Sequence, residues 1–143
     1  MSRRISCAVT ALALTLSLAA TPALADGDHG TMTPATHQAN KGMSVRIQVT
    51  KDPMKGWNLQ VRTRAFRWAP QRASSMHRSG EGHAHLYIDG VKITRLYGPW
   101  FYLRDLAPGR HQIKVTLNGN DHGDYVRNGK PVASTAVVTA PAA

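Results

Sequence analysis

The chain has 143 residues, with 18 lysines and arginines against 8 acidic residues and a formal net charge of +10. This length allows one folded domain with a modest core and leaves no room for a second domain of ordinary size. The single cysteine, Cys7, excludes a disulfide framework within the chain and a cluster of thiolate metal ligands.

The first 25 residues have the features of a secretory signal peptide. A basic segment, residues 1–4, precedes an apolar run, and Ala23-Leu24-Ala25 forms a small-residue cleavage site. The apolar run is shorter than the roughly 20 residues that a membrane-spanning helix needs. We therefore expect cleavage after Ala25, export to a bacterial periplasm and no membrane span in the mature chain. Cleavage would also remove Cys7 and leave Asp26 as the first residue.

The basic residues do not by themselves indicate a nucleic-acid site. After cleavage the formal charge would fall from +10 to +8, because only Arg3 and Arg4 are lost. Several of the remaining basic residues alternate with apolar ones, which is typical of the solvated face of a strand. They are Arg46, Arg62, Arg64, Arg67 and Lys114. Because the chain also has no recognised nucleic-acid motif and is expected to be exported, we expect no nucleic-acid partner.

Hydrophobic periodicity changes at residue 43. Residues 26–42 are rich in Gly, Thr, Asn and His and have no apolar period, which predicts a flexible arm. From 43 to 143 apolar and polar residues alternate, which predicts short strands. The first two strands, around 45–49 and 57–61, are separated by the turn residues 52–56.

The later segments continue the same pattern. Asp89-Gly90 predicts a hairpin between strands at 84–88 and 92–97, and Asn128-Gly129 predicts another tight turn before a last strand at 132–139. About seven strands without a helical period predict an antiparallel, immunoglobulin-like β-sandwich, with a small closed barrel as the alternative. Six side chains are expected inside: Leu59, Leu86, Ile88, Ile113, Val115 and Leu117.

The segment GEGHAHLYIDG, residues 80–90, places two histidines on one predicted strand. If Ala84 and Leu86 face the core, His83 and His85 both face the other way, with their Cα atoms about 6.5–7 Å apart. Two imidazoles at this spacing can converge on one metal ion, and binding should weaken below about pH 6, where free histidine becomes protonated. The same pattern also fits two solvated histidines on an exposed strand face.

Nearby loops carry further candidate ligands. Met76-His77 precedes the strand, Asn120-Asp121-His122 follows the strand with the clearest alternation, and Glu81 is placed to accept a hydrogen bond from an imidazole. Imidazole and thioether without thiolate suit copper, Cu(I) or Cu(II), better than the hard cations, and zinc is the alternative. The other histidines and methionines near the first strands are interpreted as flexible or core-filling: His29, Met32, His37, Met43 and Met54.

Two long runs resemble a known group of proteins. GEGHAHLYIDGVKITRLYGPWFYL and LAPGRHQIKVTLNGNDHGDY, preceded by GWNLQVRTRAFRWAP, are similar to a family of small exported bacterial β-sandwich proteins with GEGHAHLY and NDH motifs. That family is associated with periplasmic copper handling, and the similarity extends from about Trp57 to the last strand. The resemblance implies that His83, His85 and His122 are the metal positions and that Met76 is a loop ligand.

Three functions are compatible with these features to different degrees. The first is a periplasmic copper-binding protein that captures, buffers or delivers the ion to or from a partner protein. The second is an interaction or carbohydrate-binding module without a metal role, in which aromatic residues would form a stacking platform. These residues are Tyr87, Tyr97, Trp100 and Tyr102. The third, a copper enzyme with a histidine brace, requires histidine rather than Asp26 as the first mature residue. No catalytic constellation is recognisable, so we expect no enzyme.

Overall fold

The computed structural model describes residues 35–104 and 106–142. These residues form eleven β-strands and one short 3-10 helix, Pro70–Arg72, which confirms the predicted all-β class. The strands are β1 Thr36–Gln38, β2 Ser44–Lys51, β3 Trp57–Arg64, β4 Arg67–Trp68, β5 Glu81–Ile88, β6 Val91–Leu96, β7 Trp100–Leu103, β8 Gly109–Asn118, β9 Asp124–Arg127, β10 Lys130–Pro131 and β11 Ala133–Ala140. The number exceeds seven mainly because β1, β4 and β10 are too short to show a period.

The strands form two sheets. In the larger sheet β1, β9, β8, β5 and β4 lie side by side in that order, while β6 pairs with β5, β10 with β9 and β11 with β8. The smaller sheet has the order β2, β3, β7. Pairing is antiparallel except between β1 and β9 and between β4 and β5, where it is parallel, so the wholly antiparallel prediction is wrong at these two pairs. The immunoglobulin-like assignment stays a prediction.

Apolar side chains from both sheets form one core. Of the six side chains predicted inside, Ile88 is only partly buried against the core. The other five are fully buried: Leu59, Leu86, Ile113, Val115 and Leu117. Met43 also belongs to the core, whereas Met54 is exposed. Period-two alternation therefore identified the inward faces of the long strands, since burial of one face is what the pattern reports.

Strand β5 is buried on both faces over most of its length. Ala84 and Leu86 point into the core, as predicted, and His83 and His85 point to the opposite side. These histidines are nevertheless only 1% and 4% exposed. The rings of Tyr97 and His122 lie close to His83 on the outer side. The interpretation of the two strand histidines as a solvated face is therefore wrong.

Both predicted tight turns are present. Asp89 and Gly90 have φ values of 51° and 83° and connect β5 to β6, while Asn128 and Gly129, at 51° and 72°, connect β9 to β10. Two successive residues with positive φ characterise a type I′ hairpin turn, which favours Asn-Gly and Asp-Gly pairs. The β5–β6 turn fixes which residues of β6 lie beside the histidines.

Part of the segment predicted as an arm has regular structure. Strand β1 lies within residues 26–42 and pairs with β9, with His37 opposite Tyr125. Its three residues are too few to show a hydrophobic period. The rest of the predicted arm up to residue 34, with His29 and Met32, and the predicted signal segment lie outside the described residues.

The five basic residues that alternate with apolar ones in the sequence differ in their surroundings. Arg46 and Arg62 face each other across β2 and β3, and both line a surface depression with Arg64. Arg67 pairs instead with Glu81, and the ammonium of Lys114 lies 5.7 Å from the centre of the Tyr87 ring. Within the described residues, no helix has the length and hydrophobicity needed to cross a membrane.

Replacement of Gly82 by alanine should destabilise the protein strongly. A Cβ atom at Gly82 would lie 2.0 Å from the carbonyl oxygen of Asn118, a backbone atom of the paired strand β8. We expect Gly82→Ala to lower the free energy of unfolding by about 3 kcal/mol, the upper part of the range for overpacked sites. Urea unfolding followed by circular dichroism measures this change.

The matched control for this substitution is Gly98→Ala. A Cβ atom at Gly98 meets nothing within 4 Å. We expect its unfolding free energy to stay within about 0.5 kcal/mol of the unsubstituted protein. Equal effects of the two substitutions would contradict the role assigned to the close approach of β5 and β8.

Candidate metal centre

Three imidazoles converge on the outer side of β5. His83 Nε2 lies 2.9 Å from His85 Nε2 and 3.2 Å from His122 Nδ1. Two ligand nitrogens, each about 2.0 Å from an ion, are about 2.8 Å apart at a right angle and about 3.3 Å apart at a tetrahedral angle. The observed separations fall in this range, so this three-histidine cluster can hold a metal ion.

Strand pairing and a tight loop build the cluster. His83 lies opposite Asn118 in the β5–β8 register, and β8 ends at that residue. The following loop is closed by a hydrogen bond of 2.7 Å, which the Gly119 amide donates to the Gly123 carbonyl. His122 has a positive φ of 72° in this loop, and its ring returns to a centroid distance of 4.9 Å from the His83 ring. The loop therefore supplies the third imidazole.

Each facing ring nitrogen of the cluster has another imidazole or an ammonium as its polar neighbour. Lys92 Nζ lies 3.1 Å from His85 Nε2 and, as an ammonium, can only donate to it. His83 Nε2 faces both other rings, whereas His83 Nδ1 is buried without a hydrogen-bond partner among the described residues. The second nitrogen of His122, Nε2, lies 3.0 Å from Ser74 Oγ. A cation at the centre would satisfy the facing lone pairs.

Burial keeps these imidazoles neutral. Burial, followed by the charge of His122, lowers the pKa of His83 to about 4, and burial, followed by the charge of Lys92, lowers the pKa of His85 to about 3. Burial also lowers the pKa of His122. Neutral imidazole is the form that binds metals. Proton competition should therefore begin at a lower pH than the value near 6 expected from free histidine.

Glu81 does not have the role predicted for it. Its carboxylate pairs with Arg67 and Arg72 and accepts a hydrogen bond from the Asn120 side chain, rather than from an imidazole. Burial alone would raise the pKa of Glu81, but the Asn120 hydrogen bond and the two arginines lower it overall. The ionised carboxylate thus ties the loop that carries His122 to the start of β5.

The structure brings together three of the four predicted metal ligands. Met76 lies in the loop before β5 and is 87% exposed, so its membership of the site stays a prediction. Sequence reasoning did not identify Lys92 or Tyr97 as neighbours of the histidines. The Asp89-Gly90 turn was the available signal for Lys92, because the hairpin register places Lys92 opposite Tyr87, two residues after His85.

The four aromatic residues of the carbohydrate hypothesis do not form one platform. Tyr87 lies on β5 of the larger sheet, and Trp100 and Tyr102 lie on β7 of the smaller sheet. Trp100 and Tyr102 are 62% and 49% exposed. Tyr97 follows β6, and its ring centre is 5.8 Å from that of His83.

A second group of candidate ligands, the mixed cluster, consists of His37, His77 and Asp121. His37 Nε2 lies 2.8 Å from Asp121 Oδ1, and the His37 ring stacks on the His77 ring with 3.5 Å between centroids. These side chains also have ligand atoms close enough to hold a metal ion. His37 is therefore neither flexible nor core-filling, in contrast to its interpretation from sequence.

Comparison with protein-family models, with curated proteins and with solved structures gave no match. What the chain does is therefore inferred from the geometry and chemistry of its own residues.

The metal-free protein should lose stability as the pH falls from about 6.5 towards about 4. Unfolded histidines take up protons near the ordinary pKa of 6.5, whereas His83 and His85 in the folded state do so only near 4 and 3. The unfolding free energy should therefore fall by up to about 1.4 kcal/mol per pH unit for each histidine in this window. Urea unfolding between pH 7.5 and 4.5, with a chelator present, measures the slope.

The double variant His83→Gln/His85→Gln removes the two titrating groups and should give a shallower slope. His111→Gln is a contrasting variant, because a hydrogen bond to Asp89 raises the pKa of His111 instead of lowering it. A slope unchanged in the double variant would rule out these two imidazoles as its source.

Proposed function

We propose that this protein is an exported copper-binding protein of the bacterial periplasm, which captures, buffers or delivers the ion without chemistry of its own. The observation that carries the proposal is the convergence of three buried imidazoles, His83, His85 and His122, at separations suited to one ion. Imidazole binds both oxidation states of copper, and it is also a ligand for zinc.

The charges around the cluster favour copper, and Cu(I) in particular. The three ligands are neutral, and the nearby cations Lys92 and Arg95 contribute to the low pKa values of His83 and His85. Positive neighbours repel a divalent ion more strongly than a monovalent one. The thioether of Met76, on the exposed loop before β5, can complete the coordination of Cu(I), for which it is a soft ligand.

Three further features support this function. The expected signal peptide would direct the chain to a compartment where a copper donor or acceptor protein could exchange the ion with it. The resemblance of the GEGHAHLY and NDH runs to a copper-handling family agrees with the chemistry of the cluster. The two sheets around one core support the immunoglobulin-like sandwich as the fold class.

Removal of both strand histidines should abolish tight copper binding. His83→Ala/His85→Ala takes away two of three imidazoles, so we expect the affinity for Cu(I) and Cu(II) to fall by at least about 100-fold, more than loss of a supporting residue usually causes. Competition with a chromophoric chelator measures the affinity. The matched control is His111→Ala, which removes a histidine that pairs with Asp89 outside the cluster; unchanged affinity in the double variant would disprove the site.

The same titrations separate the contribution of Met76. Met76→Ala should weaken Cu(I) binding and leave Cu(II) binding unchanged, because the thioether is a soft ligand. Met54→Ala is the control, since Met54 is similarly exposed, at 93% against 87% for Met76. Equal Cu(I) affinities of the two variants would remove Met76 from the ligand set.

Replacement of Lys92 by glutamine should strengthen metal binding. The ammonium of Lys92 lies 3.1 Å from His85 Nε2, where it both occupies the lone pair and repels a cation. We expect Lys92→Gln to raise the copper affinity by about 10-fold, a modest part of the Coulomb repulsion at this distance. Lys114→Gln is the charge-matched control, because Lys114 lies over the Tyr87 ring. A weaker affinity in Lys92→Gln would show that the lysine supports the ion.

A further inference from the structure

We propose that the mixed cluster of His37, His77 and Asp121 is a second metal site, for a divalent ion that accepts imidazole and carboxylate ligands, Zn(II) or Cu(II). The three residues come from strand β1, from the loop before β5 and from the loop between β8 and β9. One ligand atom of each residue lies within 4.8 Å of the ligand atoms of the other two.

The chemistry of the mixed cluster differs from that of the three-histidine cluster. Two imidazoles and a carboxylate give a nitrogen and oxygen ligand set, which is usual for zinc and suitable for Cu(II). The carboxylate of Asp121 adds a negative charge that stabilises a divalent ion, and no such charge belongs to the three-histidine cluster. The two clusters are therefore expected to prefer different ions.

Two glycines make room for the imidazoles. A Cβ atom at Gly119 would lie 2.7 Å from His77 Nδ1, and a Cβ atom at Gly123 would lie 2.6 Å from His37 Nε2. Any larger residue at either position would press on a ring nitrogen that is needed as a ligand. The loop thus has a glycine at each end of its Asn-Asp-His segment, which lets both rings approach the backbone closely.

One ligand atom of the mixed cluster is buried without a partner. His77 Nδ1 is inaccessible to solvent and has no hydrogen bond to any described residue. Buried polar atoms without a partner are uncommon because each costs about 1–3 kcal/mol. A metal ion bound at this nitrogen would remove that cost, whereas a purely structural His37–Asp121 pair leaves it unexplained.

Loading must break the stack of the two rings. The planes of His37 and His77 are 8° from parallel with centroids 3.5 Å apart, so their lone pairs lie in two separate, nearly parallel planes and cannot both point at one ion. One ring has to turn before both can coordinate. The Tyr125 ring centre is 6.0 Å from that of His37 and 5.6 Å from that of His77, so this rotation would change the surroundings of the Tyr125 ring.

Zinc titration of the purified protein tests the proposal, with calorimetry to count the bound ions. The starting variant is His83→Ala/His85→Ala, in which the three-histidine cluster is removed, so the result does not depend on the copper proposal. We expect this variant to bind one Zn(II) per chain. Adding His37→Ala and His77→Ala should abolish that binding, and adding His111→Ala should leave it unchanged, because His111 pairs with Asp89 instead.

Asp121→Asn gives a test that keeps the shape of the loop, since the amide can still bond to His37. In the same background it should weaken zinc binding by at least about 10-fold. In the protein without substitutions, NMR signals of the His37, His77 and Tyr125 rings should shift together on zinc addition. Absence of zinc binding in the His83→Ala/His85→Ala variant, with these ring signals unmoved in the protein without substitutions, would overturn the proposal. Equal zinc binding after removal of His37 and His77 would also overturn it.

Discussion

The pairing of β5 with β8 is the constraint on which the rest of the structure depends. It places Leu86 opposite Val115 in the core and, on the other side of the same strands, His83 opposite Asn118. A slip of one residue would exchange the two faces of β5 and carry both histidines into the apolar core. Core packing and the placement of the imidazoles are thus fixed by one register.

The same register fixes the place where the chain leaves β8. Because the strand stops at Asn118, the chain leaves the sheet beside His83 and the short turn that follows has to lie over β5. The Asn118 side chain donates to the His122 carbonyl, and Glu81 holds Asn120, so the turn is fastened at two points. Neighbouring residues of this turn, Asp121 and His122, face different clusters, which links the position of one cluster to that of the other.

Local patterns predicted the features that depend on neighbouring residues in the chain. The long strands, the Asp89-Gly90 hairpin and the opposed faces of β5 all follow from period-two alternation and turn chemistry. The burial of His83 and His85 could not be predicted in this way, because it depends on the loop that carries His122, a residue 39 positions after His83 in the chain. The contact between His37 and Asp121 joins residues 84 apart in the chain. It depends on the parallel pairing of β1 with β9, and the three residues of β1 are too few to show a hydrophobic period in the sequence.

Strand β5 has hydrogen-bonded neighbours along both edges, β8 on one side and β6 with β4 on the other. In the three-histidine cluster, His83 and His85 are therefore attached to backbone that is held by the sheet and the apolar core rather than by a bound metal ion. In small zinc domains, by contrast, loss of the metal is the same event as unfolding. Here the sheet and the core hold the backbone of His83 and His85 without an ion, so loss of an ion need not unfold the protein. The third imidazole, His122, is held instead by a turn that the Asn118 and Glu81 side chains fasten, so the parts of one cluster have different supports.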